Sequence, residues 1–288
     1  MGRWDDKNNE TQGLQTDTID EMKNILGSLE VKKQFKSLMK EKAAGFMVSL
    51  LNLYEKDLSK CDPMSVLNSA LVAATLDLPI DKNLGFAWVI PYKKGKNGLM
   101  TAQFQIGYKG LIQLALRTAQ YKKLNAIMVY EENFKSWNPL TEEFEFDLTK
   151  EPDTMKDPVG FVAYFKLLNG FEKTLYWSRE QAEKHAKKYS KSYESEREGA
   201  IWNTNPNEMH LKTVLRNMLN KYGILSIEMQ NALVADQAEI KKVDTNNNKI
   251  EVNYVDNPNL QIDENSGAGE VIDVTANDVG FDSASKFK

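Results

Sequence analysis

The sequence is poor in the residues that build disulfide frameworks and metal centres. Cys61 is the single cysteine among 288 residues, which excludes an internal disulfide framework. The two histidines, His185 and His210, lie too far from Cys61 and from each other to suggest a metal cluster. No stretch approaches about 18 uninterrupted apolar residues, so we expect no membrane span. Residues 1–20 are polar and lack the apolar segment of a signal peptide.

The sequence also lacks the motifs of nucleotide-driven and hydrolytic enzymes. The glycine-rich segment Gly95-Lys96-Asn97 has neither the first glycine of a G-x-x-x-x-G-K-[ST] loop nor the Ser or Thr that holds magnesium. A nuclease needs carboxylates clustered around a metal. The fragments that superficially resemble nuclease motifs, around Asp153 and Glu239, are far apart in the chain. We therefore expect a binding protein with no catalytic residue, no metal site and no cofactor.

The net charge averages two segments of opposite sign. The chain has 37 Lys or Arg and 41 Asp or Glu, a formal charge of −4, which by itself argues against a nucleic-acid partner. Yet the 49 residues from Lys82 to Tyr130 contain eight Lys or Arg and no acidic residue, whereas Val243 to Ser285 contain nine acidic residues and one Lys. A solvated face is the ordinary explanation of a charge run. It does not explain why acidic residues vanish over so long a segment, and the field that a ligand meets is local.

Composition divides the chain into three parts. Residues 1–20 are polar and have no periodicity, and residues 241–288 form an acidic tail rich in Asn, Asp, Gly and Ser. We expect both segments to be disordered. Residues 21–240 carry periodic apolar patterns throughout and form the folded core.

The first part of this core is predicted to be helical. Apolar residues recur at helical spacing from Ile19 to Met39, with a break at Gly27-Ser28, and again from Phe46 to Tyr54. A third helix starts with Asp62 as its N-cap and Pro63 at its first position. It is apolar nearly all round, which predicts a buried helix.

From Leu84 the period changes to the alternation of a β-hairpin. The first strand places large side chains on one face: Phe86, Trp88, Ile90 and Tyr92. After a basic tip, the return strand has an inward row of Ala102, Phe104 and Ile106 and an outward polar row of Thr101, Gln103 and Gln105. A helix follows from Gly107 to Gln120, and one of its faces carries Lys109, Gln113 and Arg117.

Four more strands and three more helices are predicted after this point. The strand candidates are Leu124–Tyr130, Glu143–Leu148, Val159–Leu168 and Glu172–Trp177, the last two joined by a turn at Asn169-Gly170. Ser178 and Gln181 form a capping box that opens a basic helix. Another helix spans Glu208–Tyr222, with Lys212 and Arg216 on one face, and a final helix runs to about Ile240.

The polar residues of the basic segment suit a nucleic-acid backbone. Lys and Arg attract phosphates, and Gln, Asn and Thr add directional hydrogen bonds. We predict that nucleic acid contacts Tyr92, Lys93, Lys94, Lys96, Thr101, Gln103, Gln105, Lys109, Arg117, Lys212 and Arg216. The residues alone thus indicate an intracellular, ATP-independent nucleic-acid-binding protein, and they do not distinguish DNA from RNA.

Some of these assignments have a plain alternative. Aromatic rings can stack on bases, but Trp88 alternates with Phe86 and Ile90, which favours a core position. For Tyr92, core and stacking both remain open. The basic face of the helix Glu208–Tyr222 is either a wall of the binding site or a solvated surface.

Several long blocks resemble the RecT family of phage single-strand annealing proteins. One runs from Leu78 to Gly85 (LPIDKNLG) and on through Trp88, Pro91 and Tyr92. The others are Gln103–Gly110 (QFQIGYKG) continuing to Arg117, Asn169–Lys173 (NGFEK) continuing to Trp177, and Lys212–Leu219 (KTVLRNML). The resemblance covers roughly residues 20 to 235, and its blocks are longer and more specific than a lone glycine motif.

The resemblance implies an α+β fold with a β-hairpin, a helix and an antiparallel three-stranded sheet packed with helices, related to eukaryotic single-strand annealing proteins. It implies a protein, not an enzyme, that binds single-stranded DNA and anneals complementary strands without ATP in phage homologous recombination. It further implies a homo-oligomer, as a ring or helical filament, on single-stranded and annealed duplex DNA. A partner exonuclease, a host single-strand-binding protein and the cytoplasm of a bacterial host belong to the same expectation.

Other interpretations stay open at this point. The protein could be an adaptor that loads a nuclease or replication partner on DNA, or a metal-dependent nuclease. The acidic tail could bind a partner or cover the empty binding groove. The N-terminal helices and the surface around Phe46–Tyr54 form either a subunit interface or an intramolecular core. If Lys212 and Arg216 hold phosphates, changing either to Ala should lower the salt slope of DNA binding by about one.

Overall fold

The structure is a computed structural model of the chain, and it describes residues 18–93, 100–190, 193, 201–236, 238–245 and 249–253. It opens with four helices: α1 (residues 18–27), α2 (Leu29–Met39), α3 (Ala43–Leu53) and α4 (Pro63–Thr75). A 3₁₀ turn (Lys40–Lys42) joins α2 to α3, and a π-helical turn (Tyr54–Leu58) extends α3. The predicted break at Gly27-Ser28 is confirmed, because α1 ends at Gly27 and Ser28 caps α2. Residues 18–20, which we had assigned to the disordered N-terminus, are helical.

Helix α4 is the buried centre of this part of the fold. Its predicted start is confirmed: Pro63 is the first helical residue, and the Asp62 carboxylate accepts a hydrogen bond from the Ser65 amide at 2.7 Å. The helix lies against the β-hairpin, where Ser65 Oγ accepts from the Ala102 amide at 2.9 Å and Ser69 Oγ donates to the Ala102 carbonyl at 3.3 Å. These two serines satisfy the backbone of a strand edge that would otherwise be buried without partners.

The hairpin and its helix follow the prediction closely. Strands β1 (Ala87–Lys93) and β2 (Met100–Ile106) pair antiparallel, and α5 (Tyr108–Arg117) begins directly after β2. The inward row of β2 is buried as expected: Ala102, Phe104 and Ile106.

A three-stranded antiparallel sheet forms the second layer. It contains β3 (Tyr121–Val129), β6 (Gly160–Leu167) and β7 (Glu172–Ser178) in the order β3-β6-β7. Helices α6 (Arg179–Tyr189) and α8 (Pro206–Tyr222) pack on it, with the short α7 (Ile201–Thr204) before α8. The turn at Asn169-Gly170 and the capping box of Ser178 and Gln181 are confirmed.

The other face of the sheet carries a small hairpin, and only one of its two strands was predicted from the sequence. Strand β5 (Glu143–Phe146) was predicted, but its partner β4 (Phe134–Asn138) was not. Aromatic residues of this hairpin, Phe134, Trp137 and Phe144, pack around Tyr176 of β7.

The C-terminal part differs from the prediction. The last helix, α9 (Ile227–Ala235), ends five residues before Ile240, and a hairpin of β8 (Glu239–Asp244) and β9 (Lys249–Asn253) follows. Ile240 and Val243 are buried in the main core, so this hairpin belongs to the folded part and our boundary at residue 240 was set too early. The rest of the predicted acidic tail, residues 254–288, lies outside the described residues. Within the described part, no helix is long and apolar enough to cross a membrane.

Candidate nucleic-acid interface

A groove of about 430 Å³ opens where the base of the β1–β2 hairpin, the start of α5 and the start of α8 meet. We call it the hairpin groove. It is lined by Lys82, Asn83, Gly85, Trp88, Gln105, Ile106, Gly107, Tyr108, Lys109, Thr204, Asn205, Glu208, Met209 and Lys212. Most of its floor therefore comes from the acid-free segment of the sequence.

Glycines allow the hairpin base and α5 to approach this closely. Gly85 has φ +69, a left-handed conformation that favours glycine. A Cβ at Gly107 would collide with the carbonyl oxygen of Gly85, and one at Gly110 would collide with the carbonyl oxygen of Phe86. The Gly107 amide instead donates to the Phe86 carbonyl at 2.9 Å. This contact fixes the start of α5 against the loop that precedes β1.

The start of α5 supplies positive potential to the groove. Gly107 is its N-cap and no side chain caps the helix, so the amides of its first turn keep their capacity to bind an anion. Lys109, in this first turn, is exposed and makes no ion pair with any described residue. Lys82 is paired with Asp57 at 2.8 Å. Glu208, the one acidic residue of the lining, is bonded to Asn205.

Polar and aromatic side chains complete the groove. Gln105 and Tyr108 are half-buried and line it. Trp88 is also half-buried and lines the groove, so it does not lie wholly in the core as we expected. Cations, amides and aromatic rings in one concavity are the combination by which proteins hold single-stranded nucleic acid.

Lys212 is positioned differently from the prediction. Although it lines the groove, it is only 6% exposed, and its Nζ lies 3.0 Å from Oδ1 of the buried Asp236. The same carboxylate accepts from the Ile106 amide at 3.1 Å. Burial lowers the pKa of the Lys212 ammonium, and Asp236 opposes part of that shift. Lys212 thus joins α8 to the end of β2, which corrects our expectation that it faces solvent to neutralise a phosphate.

Arg216 shares this buried carboxylate. Its Nε is 3.7 Å from Oδ2 of Asp236, and its guanidinium donates to the Leu233 carbonyl at 3.2 Å. The side chain is 39% exposed. Arg216 is therefore partly committed to α9 while part of its surface remains in solvent.

Two further predicted residues are taken up by the fold: Gln103 is buried, and Arg117 is hydrogen-bonded to backbone carbonyls. Gln103 is 3% exposed, and its Nε2 has no hydrogen-bond partner among the described residues. Its face of β2 is not solvent-facing as expected, because β8 and α9 also pack on that strand. Arg117 donates to the carbonyls of Leu76 at 2.5 Å and Asp77 at 2.8 Å, which satisfies carbonyls at the end of α4.

The remaining predicted residues lie at the far end of the hairpin. Tyr92 pairs with Thr101 across the strands, and Lys93, which is exposed, pairs with Met100. Thr101 lies four residues from Gln105 along β2, about 13 Å. Lys94 and Lys96 lie outside the described residues. The structure thus brings Gln105, Lys109 and Lys212 together and sets Tyr92, Lys93 and Thr101 apart from them.

Two residues of this region were missed by the sequence analysis. Lys82 is the first residue of the acid-free segment, so the charge count contained its signal. Asp236 had no signal, because it stands alone after an apolar helix and its partners Lys212 and Ile106 are distant in the chain. Among the described residues, no group of three or more His, Cys, Asp or Glu is placed to hold a metal ion.

Comparison with known proteins agrees with the sequence resemblance to the RecT family. The sequence profile of the RecT family matches residues 44–251. The chain is 45% identical over 273 residues to "Uncharacterized protein YqaK" of Bacillus subtilis (strain 168), covering 91% of each protein. It is 31% identical over 209 residues to "Protein RecT" of Escherichia coli (strain K12), covering 69% of this chain and 74% of that protein.

Proposed function

The chain belongs to the RecT family, and from that membership we propose that it binds single-stranded DNA and anneals complementary strands without hydrolysing a nucleotide. The observation that carries the proposal is the hairpin groove. There the uncapped start of α5, the exposed cation of Lys109 and the half-buried Trp88 and Gln105 share one concavity. We propose this groove as the place where one strand is held.

The proposed mechanism uses the groove to remove charge repulsion. Phosphates of the first strand lie against the α5 amides and Lys109, with Gln105 donating to a backbone oxygen and Trp88 supporting a base. The bases keep their pairing edges, and a complementary strand pairs against them. Each base-pair step contributes about 1.4 kcal/mol of stacking, so pairing itself can drive the reaction. The protein preorganises one partner and makes or breaks no covalent bond.

The wider setting is part of the same proposal. We propose a homo-oligomer, as a ring or helical filament, in the cytoplasm of a bacterial host during phage recombination. A partner exonuclease would supply single-stranded ends, and a host single-strand-binding protein would occupy the same substrate. The relation of the α+β fold to eukaryotic annealing proteins remains a prediction from the sequence resemblance.

An annealing assay separates this function from its alternatives. Two labelled complementary oligonucleotides are mixed with the protein in EDTA without a nucleotide, and duplex formation is followed over time. The proposal requires faster duplex formation than without protein. An adaptor would leave the rate nearly unchanged, and a nuclease would shorten the strands once a divalent metal replaces EDTA. Either of those results would overturn the proposal.

A further inference from the structure

Helix α2 carries a second cationic surface, outside the acid-free segment Lys82–Tyr130. Lys32, Lys33 and Lys36 are exposed and fall within about 100° of the helix circumference. Lys40, directly after the helix, is exposed as well. We call these four residues the α2 lysine row. The buried side chains of the helix are Val31, Phe35 and Met39.

The α2 lysine row is not neutralised within the protein. None of its four ammonium groups forms an ion pair in the part of the chain that the structure describes. Lys32 and Lys36 are four residues apart, and like charges at that spacing oppose helix formation. A row of exposed cations with no internal partner is suited to an external polyanion.

The row is separate from the hairpin groove. A second pocket, of about 590 Å³, has a lining that includes Lys42 and Arg117 and none of the four row lysines. Both of these cations are already close to the carboxylate of Asp77, Lys42 at 2.9 Å and Arg117 at 3.9 Å. Asp81 lines the pocket as well. The cations of this pocket therefore already have counter-charges within the protein.

We propose that the α2 lysine row binds the phosphate backbone of a second DNA strand while the hairpin groove holds the first. The inference rests on the proposed annealing function, in which two strands of like charge must come together on one protein. Two separate cationic surfaces offer each strand its own counter-charge. Lysine suits this task, because it attracts phosphate as a point charge without reading a base.

The test compares two full-length triple variants of equal charge. K32Q/K33Q/K36Q removes the three cations of the row that lie on the helix, and K150Q/K184Q/K187Q removes three exposed lysines from elsewhere on the surface. Gln keeps nearly the helix propensity of Lys, and urea unfolding checks that both variants fold. Each protein is assayed for binding of one labelled strand and for the annealing rate of the complementary strand, across a range of salt concentrations.

The proposal predicts a divided result. The row variant should bind the first strand within twofold of wild type but anneal more slowly. Its slope of log rate against log salt should be shallower by about two, because each lost single-strand phosphate contact removes about 0.7 from the slope. The control behaves as wild type. Wild-type annealing by the row variant would overturn the inference. A matching loss of first-strand affinity would overturn it too, because the row would then serve the first strand. Wild-type protein that fails to anneal would overturn the proposed function itself.

Discussion

The buried pair of Lys212 and Asp236 allows a quantitative prediction about stability. Replacing Asp236 with Asn leaves the Lys212 ammonium 6% exposed without its carboxylate, and Arg216 loses its neighbour at 3.7 Å. Breaking a buried pair in this way typically costs about 3–5 kcal/mol. We therefore expect D236N to lower the free energy of unfolding by about 3–5 kcal/mol, because the new amide can still accept from Ile106 but cannot neutralise a cation.

A second substitution reveals whether the cost comes from the unpaired ammonium. In the double variant D236N/K212M, the buried charge is gone, so the double variant should be more stable than D236N alone. K212M by itself should cost less than D236N, about 1–3 kcal/mol, because Asp236 keeps the Ile106 amide and Arg216. Urea unfolding followed by tryptophan fluorescence measures all three. If K212M instead adds its full cost to that of D236N, Lys212 is not held as a buried charge by Asp236.

The pH dependence of D236N has a definite sign. Burial already lowers the pKa of Lys212 and Asp236 opposes part of that shift, so removing Asp236 lowers it further. Between this lowered pKa and the ordinary value near 10.4, the unfolded chain binds more protons than the folded chain, and stability rises with pH. Wild-type Lys212 has the smaller downward shift, so the deficit of D236N should shrink as pH rises through the interval between the Lys212 pKa of the variant and that of wild type. A deficit that stays constant over this range would contradict the reasoning.

Two other predictions concern single sites in the fold. Gly107→Ala should destabilise the protein by more than about 1 kcal/mol, because the new Cβ would collide with the Gly85 carbonyl. The control Gly45→Ala is in an open position of α3 and should stabilise the protein by about 0.5–1 kcal/mol. Equal effects of the two changes in a urea titration would refute the close approach. The pKa of His210 is lowered, chiefly by burial, so the folded chain binds fewer protons than the unfolded chain just below pH 6.5, and stability is lost there as pH falls. His210→Phe should lose less stability than wild type between pH 7 and pH 5; parallel losses would show that His210 does not contribute.

The sequence predicted the parts of the fold whose signals are local. The start of α4 at Asp62 and Pro63 and the turn at Gly170 depend on short-range backbone chemistry, and all are found as expected. Alternation predicted the β1–β2 hairpin for the same reason. The final helix was drawn too long, because apolar residues near Ile240 fit a short buried strand as well as a helix.

The candidate site could be predicted only in part, because its polar residues depend on contacts between distant segments. Lys109 follows a glycine turn and is exposed as expected. The spacing of Lys212 and Arg216 is the one that two residues on a solvated helix face would have. Lys212 is nevertheless buried, where it pairs with Asp236 from a distant part of the chain. Gln103 alternates like a surface residue, yet both faces of β2 are covered in this region. Periodicity identifies a face, and only the tertiary packing decides whether that face meets solvent.

The salt dependence of single-strand binding by Lys109→Gln tests the central claim most directly. Lys109 is the exposed cation at the start of α5, where the hairpin groove is proposed to hold a phosphate. The slope of log affinity against log salt should become shallower by about 0.7, with weaker binding to every sequence. Lys150→Gln, an exposed lysine outside the groove, should keep the wild-type slope. A Lys109→Gln protein that folds normally and keeps the wild-type slope and affinity would contradict the assignment of the groove as the DNA site.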